Sequence, residues 1–78
     1  MKVQILGIDL AKNVFQLHGV DREGRSVLTR RLRRDQLMKV IGELEPCLIG
    51  IEASTGAFYW QRQFEKVGHA VKIMALST

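Results

Sequence analysis

Most of the devices that staple a small fold, kink it or anchor it in a membrane are scarce here. The single cysteine, Cys47, excludes an internal disulfide and fits a reducing, cytoplasmic setting. No apolar run exceeds five residues, far short of the ~20 needed to cross a bilayer. Asp9 also interrupts the apolar stretch from Val3 before it could form a signal-peptide core. Proline occurs once, at Pro46, and aromatic residues make up 6%. His18 has no second His or Cys at ligand spacing and reads as a packing or surface residue. Acids are outnumbered, 8 against 12 basic residues, giving a net charge of +4 that favours a polyanionic partner.

What is present is a globular pattern, with a hydrophobic fraction of 46%, too high for a disordered tail. Val3–Asp9 is rich in β-formers and apolar on both faces near its end, as a central strand is. Val14–Val20 predicts a second strand, Asp21–Gly24 a turn and Ser26–Arg33 a third strand, together an antiparallel meander. Leu37, Val40, Ile41 and Leu44 fall at i, i+3, i+4 and i+7, one face of a helix, with Asp35 as the expected N-cap and Pro46 just past its end. Cys47–Glu52 predicts a short buried strand. A helix over about Gly56–Val67 follows, capped by Ser54 or Thr55, with Ala57, Trp60, Phe64 and Val67 on one side. Ala70–Met74 predicts the fifth strand.

The order βββαβαβ, with right-handed crossovers, sets strand four beside strand one and strand five outside it. This is an α/β plan with a mixed five-stranded sheet, the ribonuclease-H-like fold. Asp9 then ends strand one and Glu52 ends strand four, side by side at the carboxyl edge, where open α/β sheets carry their sites. Two adjacent carboxylates repel unless a cation relieves them, and hard oxygen donors suit Mg²⁺ or Mn²⁺. The alternative is that Asp9 merely terminates a strand and Glu52 caps a helix. Arg30, Arg31, Arg33 and Arg34 fall within five residues, a density that attracts phosphate backbones without reading sequence, or else a solvated strand end. Lys12 is a candidate phosphate contact beside Asp9. Cys47 reads as a small core residue with no base nearby, and His69 as a solvated residue in a helix–strand turn. Met38, Met74, Tyr59 and Trp60 read as packing rather than a binding box.

Gly7-Ile8-Asp9-Leu10-Ala11-Lys12-Asn13-Val14-Phe15, followed by Ile49-Gly50-Ile51-Glu52-Ala53-Ser54-Thr55-Gly56, resembles the N-terminal half of the DEDD-type insertion-sequence transposases. These are the insertion sequence 110 family, related to the Piv-type DNA invertases and in fold to the RuvC resolvase. The resemblance runs through essentially all 78 residues. It implies the N-terminal part of a RuvC-like catalytic domain, truncated before the later helices, with Asp9 and Glu52 as the first two of four metal-binding carboxylates. The other two would form an Asp-x-x-Asp motif beyond the fifth strand. It further implies that the full-length protein binds DNA and performs Mg²⁺- or Mn²⁺-dependent phosphodiester cleavage and strand transfer. Some members of the family act with a structured guide RNA. With two acids of four, this chain by itself is expected to be inactive.

Two other readings compete. A catalytically inactive nucleic-acid-binding or self-associating module would keep the fold without a complete site, and its uncovered apolar surface predicts a homo-oligomer. An actin- or sugar-kinase-like ATPase core also begins with a strand ending in Asp, but wants Gly and Thr or Ser soon after it. Leu10-Ala11-Lys12-Asn13 has none of these.

Overall fold

The computed structural model describes residues 2–10 and 13–75. Among these, the elements are β1 (Ile5–Leu10), β2 (Val14–Val20), β3 (Ser26–Arg33), α1 (Arg34–Glu43), β4 (Leu48–Glu52), α2 (Ala57–Lys66) and β5 (Ala70–Met74). They build one mixed sheet in the order β3-β2-β1-β4-β5, the ribonuclease-H-like arrangement expected from the βββαβαβ pattern. β1, β2 and β3 pair antiparallel, while β4 runs parallel to β1 on one side and to β5 on the other.

The meander closes at Asp21, whose Oδ1 accepts the backbone N–H groups of Glu23 and Arg25, each at 2.9 Å. The Arg25 N–H, more than the other donors, holds the Asp21 carboxyl below its ordinary value. Parallel strands need a crossover, and each helix supplies one. α1 starts directly from β3. Its N-cap is therefore Arg33 rather than the expected Asp35, which falls in the first turn, and the Arg33 N–H donates to Gln36 Oε1 at 3.0 Å. α2 likewise starts later than a Ser54 or Thr55 cap would give. Its N-cap is Gly56, at a φ of 92° that a side chain would disfavour, and the Ser54 hydroxyl turns back to donate to the Glu52 carbonyl at 3.3 Å. The end of α2 is set by Gly68. With φ at 102°, its N–H bonds the Glu65 carbonyl at 3.1 Å and the His69 N–H bonds that of Phe64 at 3.2 Å, a Schellman closure. Val67, expected on the buried stripe, is the C-cap and stays exposed because the helix ends before its side chain reaches the core.

Both helices cover the same face of the sheet. Leu6, Ile8, Phe15, Leu17, Ile49 and Ile51 point into a core closed by Leu37 and Ile41 of α1 and by Ala57, Trp60 and Phe64 of α2. The opposite face carries no element among the described residues. Among the described residues no helix is long and apolar enough to cross a membrane.

His69 departs most from its sequence reading. It is 4% exposed rather than solvated. The Cys47 N–H donates to its Nδ1 at 3.1 Å, and its Nε2 lies 2.8 Å from the Ile41 carbonyl. A carbonyl can only accept, so Nε2 carries the proton and the ring is the neutral Nε2–H tautomer. One side chain thus joins the last turn of α1, the entry to β4 and the entry to β5. It also gives the Ile41 carbonyl a second donor beside the Leu44 N–H, which reaches it at 3.3 Å. His69→Ala leaves a buried N–H and weakens the bonding of a buried carbonyl, and is expected to cost about 2–4 kcal/mol in urea unfolding. A loss below about 0.5 kcal/mol would show that the ring is not the clamp.

Candidate metal and nucleic-acid site

Ile8 pairs with Ile51 in the parallel β1–β4 ladder, and Asp9 and Glu52 are the next residues of the two strands. Because side chains alternate, the isoleucines enter the core and both carboxylates stand on the uncovered face, on strands ~4.8 Å apart. Asp9 is opposite Gln16 of β2, Gln16 is opposite Arg31 of β3, and Glu52 is opposite Met74 of β5. One row across all five strands therefore reads Arg31, Gln16, Asp9, Glu52, Met74. Gln16 is fixed in it, donating from Nε2 to the Arg30 carbonyl at 3.2 Å.

Below the acids Gly7 pairs with Gly50, and neither brings a side chain of its own; the Met74 side chain lies over Gly50, and the glycines form the floor of an open groove that includes Asp9, Glu52 and His18. Ile5, Leu48 and Met74 border the glycines, 47%, 39% and 44% exposed. Among the described residues neither Asp9 nor Glu52 pairs with a cation. Nor, among the described residues, is any group of three or more His, Cys, Asp or Glu disposed to hold a metal. What the site offers is two free, hard oxygen donor groups.

The arginine-rich stretch does not form one patch. Arg31 and Arg33 pair with Gln16 and Val14, which puts them on the face of the acids, whereas Arg30 pairs with the buried Leu17 and lies on the helix side. Arg34 opens α1, with its guanidinium carbon 5.1 Å from the centre of the Trp60 ring. Arg33 alone of the four forms an ion pair among the described residues, to Asp35 at 3.4 Å. Lys12 lies outside the described residues.

Comparison with known proteins bears on what such a site belongs to. The chain is 44% identical over 75 residues to a Pseudomonas aeruginosa protein named "Probable family 20 transposase". It is 37% identical over 73 residues to the transposase for insertion sequence element IS1111A of Coxiella burnetii, and 34% identical over 73 residues to that for IS1328 of Yersinia enterocolitica. These alignments take in 94–96% of the chain. This chain is a relative of the insertion-sequence transposases. It spans about a fifth of the length of the relatives it matches, between 18% and 22%. No family model matches it.

Two features of this transposase relative escaped the reading of its sequence. The first is a base near Cys47: His69 Nδ1 is 3.6 Å from the thiol Sγ, although the two are 22 residues apart in sequence. The pair is nevertheless not a nucleophile and its base. Nδ1 is engaged by the Cys47 N–H, and burial pushes the thiol above its ordinary value rather than activating it. The second is an aromatic and cationic cavity behind the strand ends, lined by Leu10, Arg34, Ser54, Thr55, Tyr59 and Trp60. A signal for it was present in Phe58-Tyr59-Trp60, since three consecutive helical residues, ~100° apart, cannot all face the core.

Because a thiolate is disfavoured at the buried site, the unfolded chain ionises Cys47 first as pH rises. Its contribution to stability is unchanged below the ordinary thiol value and becomes unfavourable above it. Cys47 is accordingly expected to react with iodoacetamide at pH 8 at least tenfold more slowly in the native chain than in urea. Equal rates would exclude the buried setting.

Proposed function

We propose that the chain forms the part of a transposase catalytic domain that carries the first two metal-binding carboxylates, Asp9 and Glu52. In the whole protein, this site serves divalent-metal-dependent cleavage and joining of DNA. The observation that carries this reading is the parallel β1–β4 register, which leaves two acids adjacent, exposed and unpaired on one face. Such a donor set fits Mg²⁺ or Mn²⁺, which are bound through oxygen ligands. When bound, the ions activate the attacking oxygen and stabilise the leaving one in a phosphodiester displacement. The chain's own residues divide the remaining work. Asp9 and Glu52 hold the charge at the strand ends, and Gln16 fixes the flank of the row. Arg31 and Arg33 meet the phosphate backbone on the same face, a contact that orients the strand without reading its bases. The names of the relatives support DNA as the partner, and the family resemblance supplies the expectation of two further acids.

With two carboxylates the site binds metal weakly and does not complete the reaction. In Mn²⁺ titrations followed by electron paramagnetic resonance, Asp9→Asn and Glu52→Gln are each expected to weaken binding roughly tenfold, a change of ~1.4 kcal/mol. The chain is expected to leave supercoiled DNA intact in Mg²⁺. Binding that neither substitution changes would falsify the assignment of the ligands, and Mg²⁺-dependent nicking lost in Asp9→Ala would overturn the incomplete site.

A self-associating module is favoured by a separate observation, the uncovered apolar strip of Ile5, Leu48 and Met74. Burying it between two copies removes that surface from water. Sedimentation at increasing concentration is expected to show a dimer or larger assembly that Leu48→Lys returns to monomer; a clean monomer at high concentration counts against this.

A further inference from the structure

The cavity on the helix side of the strand ends has no role in the carboxylate site, yet it shares the same edge. Leu10, which lines it, follows Asp9 in β1, and Ser54 and Thr55 follow Glu52 by two and three residues. The alternation that turns Asp9 to the open face turns Leu10 to the helices. The two sites thus flank the sheet edge on the order of 10 Å apart. Resting on the DNA reading above, we infer that this cavity receives an unpaired nucleotide of the DNA strand, its base against Tyr59 and its phosphate at Arg34.

Trp60 gives the cavity a rigid wall. It is 6% exposed, stacked on Phe64 at 5.6 Å between ring centres and met edge-on by Phe15 at 5.4 Å. Two groups are oriented by that ring. The Arg34 guanidinium lies over it, an arrangement that holds the cation while leaving its N–H donors for a ligand. Among the described residues no carboxylate pairs with Arg34, in contrast to Arg25 and Arg33. Tyr59 meets Trp60 at 5.1 Å and 79°, and remains 45% exposed. Among the described residues no acid lines the cavity, so a phosphate entering it meets a cation and the Thr55 hydroxyl without repulsion. A cation beside an accessible aromatic ring is the pairing that grips single strands, the base stacking while the phosphate is neutralised. A base within a duplex is covered on both sides by its neighbours. An unpaired nucleotide, at a nick, a flap or a strand end, is therefore the form that fits.

The test is fluorescence anisotropy of the 78-residue chain with a labelled oligothymidylate of about 12 nucleotides, in EDTA so that metal binding plays no part. Tyr59→Ala is expected to weaken binding about tenfold, and Tyr59→Phe to retain it because the ring remains. Arg34→Gln is expected to weaken binding and to lower the slope of log affinity against log salt by about one. Phe58→Ala is the control, since Phe58 is 68% exposed on the same helix turn but outside the cavity, and it should bind like the parent. A blunt duplex should bind without sensitivity to Tyr59→Ala. Circular dichroism checks that each variant is folded. Losses in Phe58→Ala equal to those in Tyr59→Ala overturn the cavity, as does a duplex equally sensitive to Tyr59. DNA binding that Tyr59→Ala and Arg34→Gln both leave unchanged overturns the cavity while the DNA reading stands. No binding to either DNA overturns both.

Discussion

Leu6 lies beside Ile49 and Ile8 beside Ile51, and from that parallel pairing of β1 with β4 nearly everything else in the molecule follows. Two neighbouring parallel strands cannot be joined by a tight turn, so the chain between them must cross over, and α1 lies in that crossover. With the isoleucines facing the helices, the residues that alternate with them face away: Gly7 and Gly50, then Asp9 and Glu52. A slip of one residue in either strand would carry a carboxylate into the core and an isoleucine out of it. Burying an unpaired carboxylate costs several kcal/mol, and withdrawing an isoleucine from the core forgoes a further ~1.5–3 kcal/mol. The energy that holds the core together is therefore also what keeps the two acids in line.

The sheet is covered on one side only, and this asymmetry gives the strand edge two different characters. On the open face the row of Arg31, Gln16, Asp9 and Glu52 sits above a floor of glycine, open at Gly7 and overlain at Gly50 by the Met74 side chain. On the helix face Trp60 ties Phe15 of β2 to Phe64 of α2 and orients Arg34 and Tyr59 at its rim. The arginine-rich stretch straddles these two environments because it contains the last residues of β3, which alternate faces, and the first of α1. A strand end and a helix start in direct succession thus send neighbouring cations to opposite sides of the sheet.

The strands and helices were legible in the sequence because their signals are local. Period-two and period-3.6 patterns name the buried face of each element, and Leu37, Ile41, Trp60 and Phe64 are buried as their spacing required. Element ends were less legible. Asp35 and Ser54 have good capping chemistry, yet Arg33 and Gly56 occupy the caps, because the helix starts are set by where β3 and β4 release the chain. The candidate acids could be found because each directly follows an apolar strand, so topology alone made them neighbours.

By itself, the sequence determined the order and type of the elements, the sheet they form and the edge at which Asp9 and Glu52 emerge, since these depend on hydrophobic periodicity and chain connectivity. Only the tertiary structure decided that Cys47 and His69, 22 residues apart, would share a buried contact in which His69 also bonds the Ile41 carbonyl. It also decided that Arg34 would lie over Trp60, and that the arginines would divide between two faces. The reason is physical. A hydrogen bond or ring contact between distant residues requires a particular distance and angle, and these exist only once the elements have packed.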